Sequence, residues 1–289
     1  MGEEPDPIRL LDDIGVASRS LQAVTGGADT LIWRVVTESG RTLALRLYRA
    51  SQSAAAERVL AAHRDAREGG LPVPEVVHAG IWKERPYLAT AWVDGTTMMD
   101  QLGTAPWRAW EYGRAVGTLQ AKAHRIAPRH LAVEGHWWGR VTDRLPPAIE
   151  RAINGSTDRA LLHLNLHPGN LVMAEQRIVG IIGWTNVRVG PRALDLARTE
   201  SLLLFYPIPV RTFAFSLLRA VLAAGWRAGY HASAGALPGL APFRVWAARL
   251  MLDEVERRLA QEGTWLQDSD LLPVDAWFTR WRHEVVARG

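Results

Sequence analysis

Two loops in the middle of this chain hold the side chains best suited to chemistry. The first reads His163-Leu-Asn165-Leu-His167-Pro-Gly-Asn170, and the second opens at Gly183 after the run Arg177-Ile-Val-Gly-Ile-Ile. Imidazoles exchange protons near neutral pH, and amides offer both donors and acceptors. Four such groups at fixed offsets behind an apolar strand describe a polar loop anchored on a rigid element, where binding and catalysis concentrate. Zinc is disfavoured. No glutamate or cysteine stands at ligand spacing, and the chain contains no cysteine at all, which also excludes a disulfide scaffold and a thiol nucleophile.

These loops, with Pro191-Arg-Ala-Leu-Asp195-Leu-Ala197 downstream, resemble the catalytic core of the aminoglycoside phosphotransferase and choline kinase family, relatives of the protein kinases. In that family the first loop reads His-x-Asp-x-His-x-x-Asn and the second Ile-Asp-Trp. The resemblance runs from about residue 20 onward. It implies an α+β, two-lobed, protein-kinase-like fold, with a β-rich N-lobe over 1–93 and a helical C-lobe over 94–289 that carries the catalytic loop. It also implies ATP as cofactor, with Mg²⁺ beside it.

The resemblance assigns the base carboxylate to position 165, an assisting metal ligand to Asn170 and the main metal carboxylate to position 183. This sequence has Asn165 and Gly183 there. An amide takes no proton at neutral pH and is a weaker ligand than a carboxylate, and glycine offers no side chain. A general base is worth about 10²–10⁴ in rate, and a metal several kcal/mol more, so ordinary transfer should fall by about four orders of magnitude or more. Asn165 is therefore a degenerate base position, Asn170 a weak metal ligand, and Gly183 a lost one. His163 and His167 flank them as loop braces or, in a repurposed enzyme, as reactive groups. Asp195 is expected to accept backbone N–H bonds from the 163–170 loop, and packing accounts for His124.

The N-terminal part must position a nucleotide if one binds. Leu43-Ala44-Leu45-Arg46 stands where a protein kinase has Val-Ala-Ile-Lys. Strand alternation puts Ala44 and Arg46 on one face and the leucines on the other. Glu57, in the helix expected over Ser53–Glu68, is the candidate carboxylate to orient Arg46. Gly26 and Gly27, one hairpin earlier, could cover phosphates with backbone N–H groups. Thr90 and Trp92 lead into a hinge at Asp94-Gly95 whose backbone could meet an adenine edge.

Around these motifs the texture changes along the chain. Alternating apolar runs at Leu31–Val36 and Thr42–Tyr48 flank a Glu38-Ser39-Gly40 turn. Further strands are expected at Val76–Ile81 and Tyr87–Val93, and a β-rich island around Leu161–Trp184. Helical periodicity marks Trp110–Ile126, Thr212–Ala228, Pro242–Gln261 and Pro273–Val286. With 48% apolar and 22% charged residues, the 289-residue chain can build a packed core. Its net charge of +4 comes from 34 basic residues, of which only Lys83 and Lys122 are lysines. The arginines are spread without a cluster, which argues against nucleic acid. No apolar run reaches membrane length and the N-terminus is acidic, so neither a span nor a secretory signal is expected, and a cytoplasmic protein is. Thirteen tryptophans belong mainly to the core. From Arg198 onward 11 arginines face 9 acids, so a polycationic acceptor has no acidic excess to attract it.

Three functions stay open on this sequence. The foremost is a pseudokinase, or repurposed protein, that binds a small molecule between the lobes. The others are an active ATP-dependent O-phosphotransferase and an enzyme using the cleft for non-phosphoryl chemistry.

Overall fold

The computed structural model describes residues 6–24, 30–142, 144–236 and 239–288. Helix α1 (Pro7–Asp13) leads into five strands: β1 (Ser18–Ala23), β2 (Leu31–Thr37), β3 (Thr42–Leu47), β4 (Val76–Trp82) and β5 (Arg85–Ala91). They form one antiparallel sheet in the order β1-β2-β3-β5-β4. Helix α2 (Ser53–Glu68) crosses between β3 and β4. Its alanines favour the helix, and Gly70, at φ +72°, lets the chain turn away toward Pro72 and Pro74.

The two faces of this sheet differ as alternation requires. Leu43, Leu45 and Leu47 are buried with Trp33, Val35, Trp82 and Ala89 against Leu10 and Leu11 of α1. The opposite face carries Arg34, Ala44 and Thr90 in one cross-strand row, and Ile32, Arg46 and Leu88 in the next. Leu88 belongs to a second core, which joins Val59, Ala62 and Ala66 of α2 to the helices beyond residue 94.

After the hinge come β6 (Thr96–Thr97), α3 (Met98–Thr104) and α4 (Ala109–Ala123), then the short helices α5 (Gly139–Thr142) and α6 (Pro147–Asn154). Strands β7 (Ala160–Leu162), β8 (Leu171–Ala174), β9 (Arg177–Ile181) and β10 (Arg188–Gly190) carry the two polar loops. β7 pairs with β10, and β8 with both β6 and β9. Four helices complete the chain: α7 (Arg192–Phe205), α8 (Phe213–Ala234), α9 (Ala241–Leu259) and α10 (Leu272–Arg288). The antiparallel sheet with a helical C-terminal part is the expected α+β, kinase-like architecture. At the hinge Gly95 sits at φ +143°, and a Cβ there would strike the Met173 carbonyl.

Helix α4 presses backbone to backbone on α8 through Gly113, Gly117, Gly225 and Gly229, where any added Cβ would meet the other helix. This contact fixes Gln120 and His124 at the end of α4, and both residues reach the site described next. Among the described residues no helix is long and apolar enough to cross a membrane.

Candidate functional site

The 163–170 loop is braced from below by buried polar groups. Asp195, on the first turn of α7, is 1% exposed and accepts the Leu164 N–H at 2.6 Å. It also accepts from Gln120 Nε2 at 2.8 Å and lies 3.0 Å from His124 Nε2. Burial alone would raise this carboxyl, but the bonds from His124, Gln120 and the Leu164 amide outweigh it and hold Asp195 below the usual carboxylate value. The bracing matters because Leu164 adopts φ +57°, a left-handed conformation that costs a non-glycine residue about 1–2 kcal/mol. His124 does more than pack: its Nδ1 also lies 3.0 Å from the Tyr230 hydroxyl.

Both histidines of the loop are buried and hydrogen-bonded to its backbone. His163 Nδ1 accepts the Asn165 N–H at 3.2 Å, which leaves Nε2–H to donate to the Ile182 carbonyl at 3.0 Å. Its ring also meets Trp184 edge-on at 4.6 Å. Burial pushes its pKa down to about 4. His167 Nδ1 accepts the Gly169 N–H, which leaves the proton on Nε2, so Asn170 Nδ2, itself a donor 3.0 Å away, packs against that edge without a hydrogen bond; the ring stacks on Tyr206 at 4.3 Å. Burial, with the cationic neighbours Arg198 and Arg258 acting in the same direction, takes it to about 3. Both rings are therefore neutral at pH 7 and hold the loop's shape.

Positions 170 and 183, where the resemblance places metal ligands, pack against each other. Gly183 has φ +79°, and a Cβ placed on it would lie 2.5–2.6 Å from the side-chain amide of Asn170. That amide donates to the Asn165 carbonyl at 2.8 Å. Asn170 thus folds across the place where a side chain from position 183 would begin and ties itself to the backbone of position 165. A Mg²⁺ ion does not fit this donor set, which offers two amides and no carboxylate. Among the described residues the only cluster of His, Asp and Glu close enough to share a cation is Asp65, Glu68 and His130. There the Asp65 carboxylate is already filled by the N–H groups of Arg129, His130 and Leu131.

Across the cleft, Arg46 is half-buried on the sheet face that sequence alternation assigns to it. It does not pair with Glu57. Its Nη1 donates to Thr185 Oγ1 at 3.1 Å, two residues beyond Gly183. Glu57 is exposed. The buried stripe of α2 runs through Val59, Ala62, His63 and Ala66, and at 100° per residue Glu57 stands about 200° from Val59, facing solvent. His63, not a carboxylate, is the buried α2 group whose surroundings include Arg46; burial, first of all, lowers its pKa to about 4.

Ala44 and Thr90 lie side by side in the sheet, and Arg34, opposite Ala44, places its guanidinium 5.3 Å from the Trp92 ring. The Trp92 N–H is spent on the Thr42 carbonyl, so that hinge donor is not available to a ligand. Gly26 and Gly27 lie outside the described residues. Thr185 and Arg34 carried no motif in the sequence, although alternation with buried Trp33 and Val35 marks Arg34 as cleft-facing.

The geometry has close structural counterparts. A thermostable mutant of aminoglycoside phosphotransferase APH(4)-Ia, solved in ternary complex with AMP-PNP and hygromycin B, superposes with a TM-score of 0.64 at 14% identity over 95% of this chain and 97% of that one. The amicoumacin kinase hAmiN, in complex with AMP-PNP, Ca²⁺ and Ami, gives 0.67 at 11% identity over 99% and 94%. The macrolide 2′-phosphotransferase MphH from Brachybacterium faecium gives 0.54 at 16% identity over 97% and 95%. At these identities the likeness concerns the fold. No curated protein sequence matches the chain. The sequence signature described as "Phosphotransferase enzyme family" matches residues 20–152 and 131–246, and the chain belongs to that family.

Proposed function

We propose that this chain is a family member that has given up phosphoryl transfer and acts by binding a small anionic molecule between its lobes. One observation carries this: the Asn170 amide lies where a metal-holding side chain from position 183 would start, and position 165, which should supply the base, is also an amide. Phosphoryl transfer depends on an aligned hydroxyl, a proton acceptor and metal-neutralised phosphates, and this loop offers neither of the last two. Arg46 supports retained anion binding, because among the described residues no carboxylate pairs with it and its hydrogen-bond partner is the neutral Thr185. Chemistry by His163 is disfavoured because both its ring nitrogens are hydrogen-bonded, and chemistry by His167 because its Nδ1 accepts the Gly169 N–H and its ring is buried against Tyr206.

Titration with ATP, with and without Mg²⁺, tests this reading. Any nucleotide binding should be insensitive to Mg²⁺, or weakened by it as the ion neutralises free phosphates. Turnover with aminoglycoside, macrolide or simple alcohol acceptors should be negligible. Tight Mg²⁺-dependent binding, or turnover near the roughly 1 s⁻¹ scale of kinases, would overturn it in favour of an active O-phosphotransferase.

A further inference from the structure

A second concavity lies between α2 and the start of β4. Leu60, His63, Arg64, Arg67 and Glu68 of α2, with Glu75 and Val76 at the start of β4, border an open groove of about 340 Å³. Its polar lining is unevenly committed. Glu75 is held by Arg41 at 3.5 Å and Glu68 by His130 at 2.9 Å. Arg67 gives Nη1 to the Val73 carbonyl at 3.1 Å. Arg64 is exposed and makes no ion pair or hydrogen bond among the described residues.

The groove therefore presents two guanidinium groups one helical turn apart, of which Arg64 makes no bond to the protein among the described residues, beside two carboxylates that contact Arg41 and His130 at its edge. A guanidinium matches carboxylate and phosphate oxygens in a planar, two-point geometry. Leu60 and Val76 offer apolar surface beside it. The remaining lining residue, His63, is 5% exposed and gives Nδ1 to the Pro74 carbonyl at 3.2 Å. Its ring lies 6.0 Å from Trp184, the residue next to Gly183.

We propose that this recess is a second ligand site, taking a small organic anion with its carboxylate or phosphate on Arg64 and Arg67 and its apolar body on Leu60 and Val76. The proposal stands whether or not the interlobe cleft holds nucleotide. The His63–Trp184 contact gives an occupant a direct neighbour in the loop that opens at Gly183. Any effect on cleft affinity would be reciprocal.

Phenyl phosphate and benzoate, each titrated to about 10 mM into the full chain, serve as probes for the two head groups. Backbone amide NMR shifts report where they bind. Resonances of Arg64, Arg67 and Val76 should move with saturation, and whichever head group binds more tightly identifies the preferred anion. Charge reversal in Arg64→Glu/Arg67→Glu should weaken binding by about tenfold or more, since it replaces both cationic partners of the head group with anions. Arg64→Gln/Arg67→Gln should weaken it less. Arg46→Ala, in the other cleft, should leave it within about twofold. Absence of saturable shifts at α2 with both probes would overturn the proposal. So would loss of binding in Arg46→Ala with retention in the charge-reversed variant, which would place the anion in the cleft.

Discussion

Restoring a carboxylate at position 183 is the sharpest test of how the loop was rebuilt. Gly183 sits at φ +79°, where a side chain is strained; aspartate tolerates this region better than most residues, at about 1 kcal/mol. Its Cβ would also overlap the Asn170 amide at 2.5–2.6 Å. Asn170 must then leave, forfeiting its bond to the Asn165 carbonyl, at about 0.5–1.5 kcal/mol. Gly183→Asp should therefore destabilise the protein by about 1.5–2.5 kcal/mol. In an Asn170→Ala background that bond is already lost and the space is open, so the same change should cost only about 1 kcal/mol. The difference, a coupling of about 0.5–1.5 kcal/mol, is measured from urea melts of the four proteins at pH 7, with the slopes confirming an unchanged transition. Equal costs in both backgrounds would show that Asn170 is not the obstacle. A cost below about 0.5 kcal/mol for Gly183→Asp alone, within the range of an unremarkable surface change, would show that the loop takes the carboxylate without rearrangement, and the structural objection to a metal there would fall.

Two further outcomes follow from buried groups that hold the site. His63, His163 and His167 have folded pKa values of about 4, 4 and 3, below the unfolded value near 6.5. The unfolded chain therefore binds their protons first: stability is complete above about pH 6.5 and falls as pH drops toward 4. The slope is about 1.4 kcal/mol per pH unit for each ring, and the unfolding free energies from urea melts at pH 7 and pH 5 should differ by several kcal/mol; a flat profile would mean the rings are not held neutral. Gly117→Ala should destabilise by about 1–3 kcal/mol in thermal or urea melts, although alanine favours a helix, because the new Cβ meets the Trp226 carbonyl and pushes α4 off α8; a gain in stability would show that the two helices can separate freely.

Much of this fold could be read from local pattern. The leucines of β3 alternate, α2 begins and ends where its alanines and glycines place it, and the Glu38–Gly40 turn closes the β2–β3 hairpin. That turn already sets the register. Once Thr37 faces Arg41, Arg34 must face Ala44, so the guanidinium beside Trp92 was implicit in the sequence. The orientation of Glu57 was equally implicit: the stripe Val59, Ala62, His63, Ala66 turns it outward, and the family analogy that paired it with Arg46 gave way to helical geometry. The Arg46–Thr185 bond spans 139 residues, and only the packing of both lobes brings it about. The Asn170–Gly183 contact is of the same kind. Two positions 13 residues apart meet because β8 and β9 pair between them. The space a side chain at 183 would need is the space the Asn170 amide fills, so on the reading proposed above a carboxylate at 183 and the present place of Asn170 exclude each other, and a change at one position alone is opposed by the other.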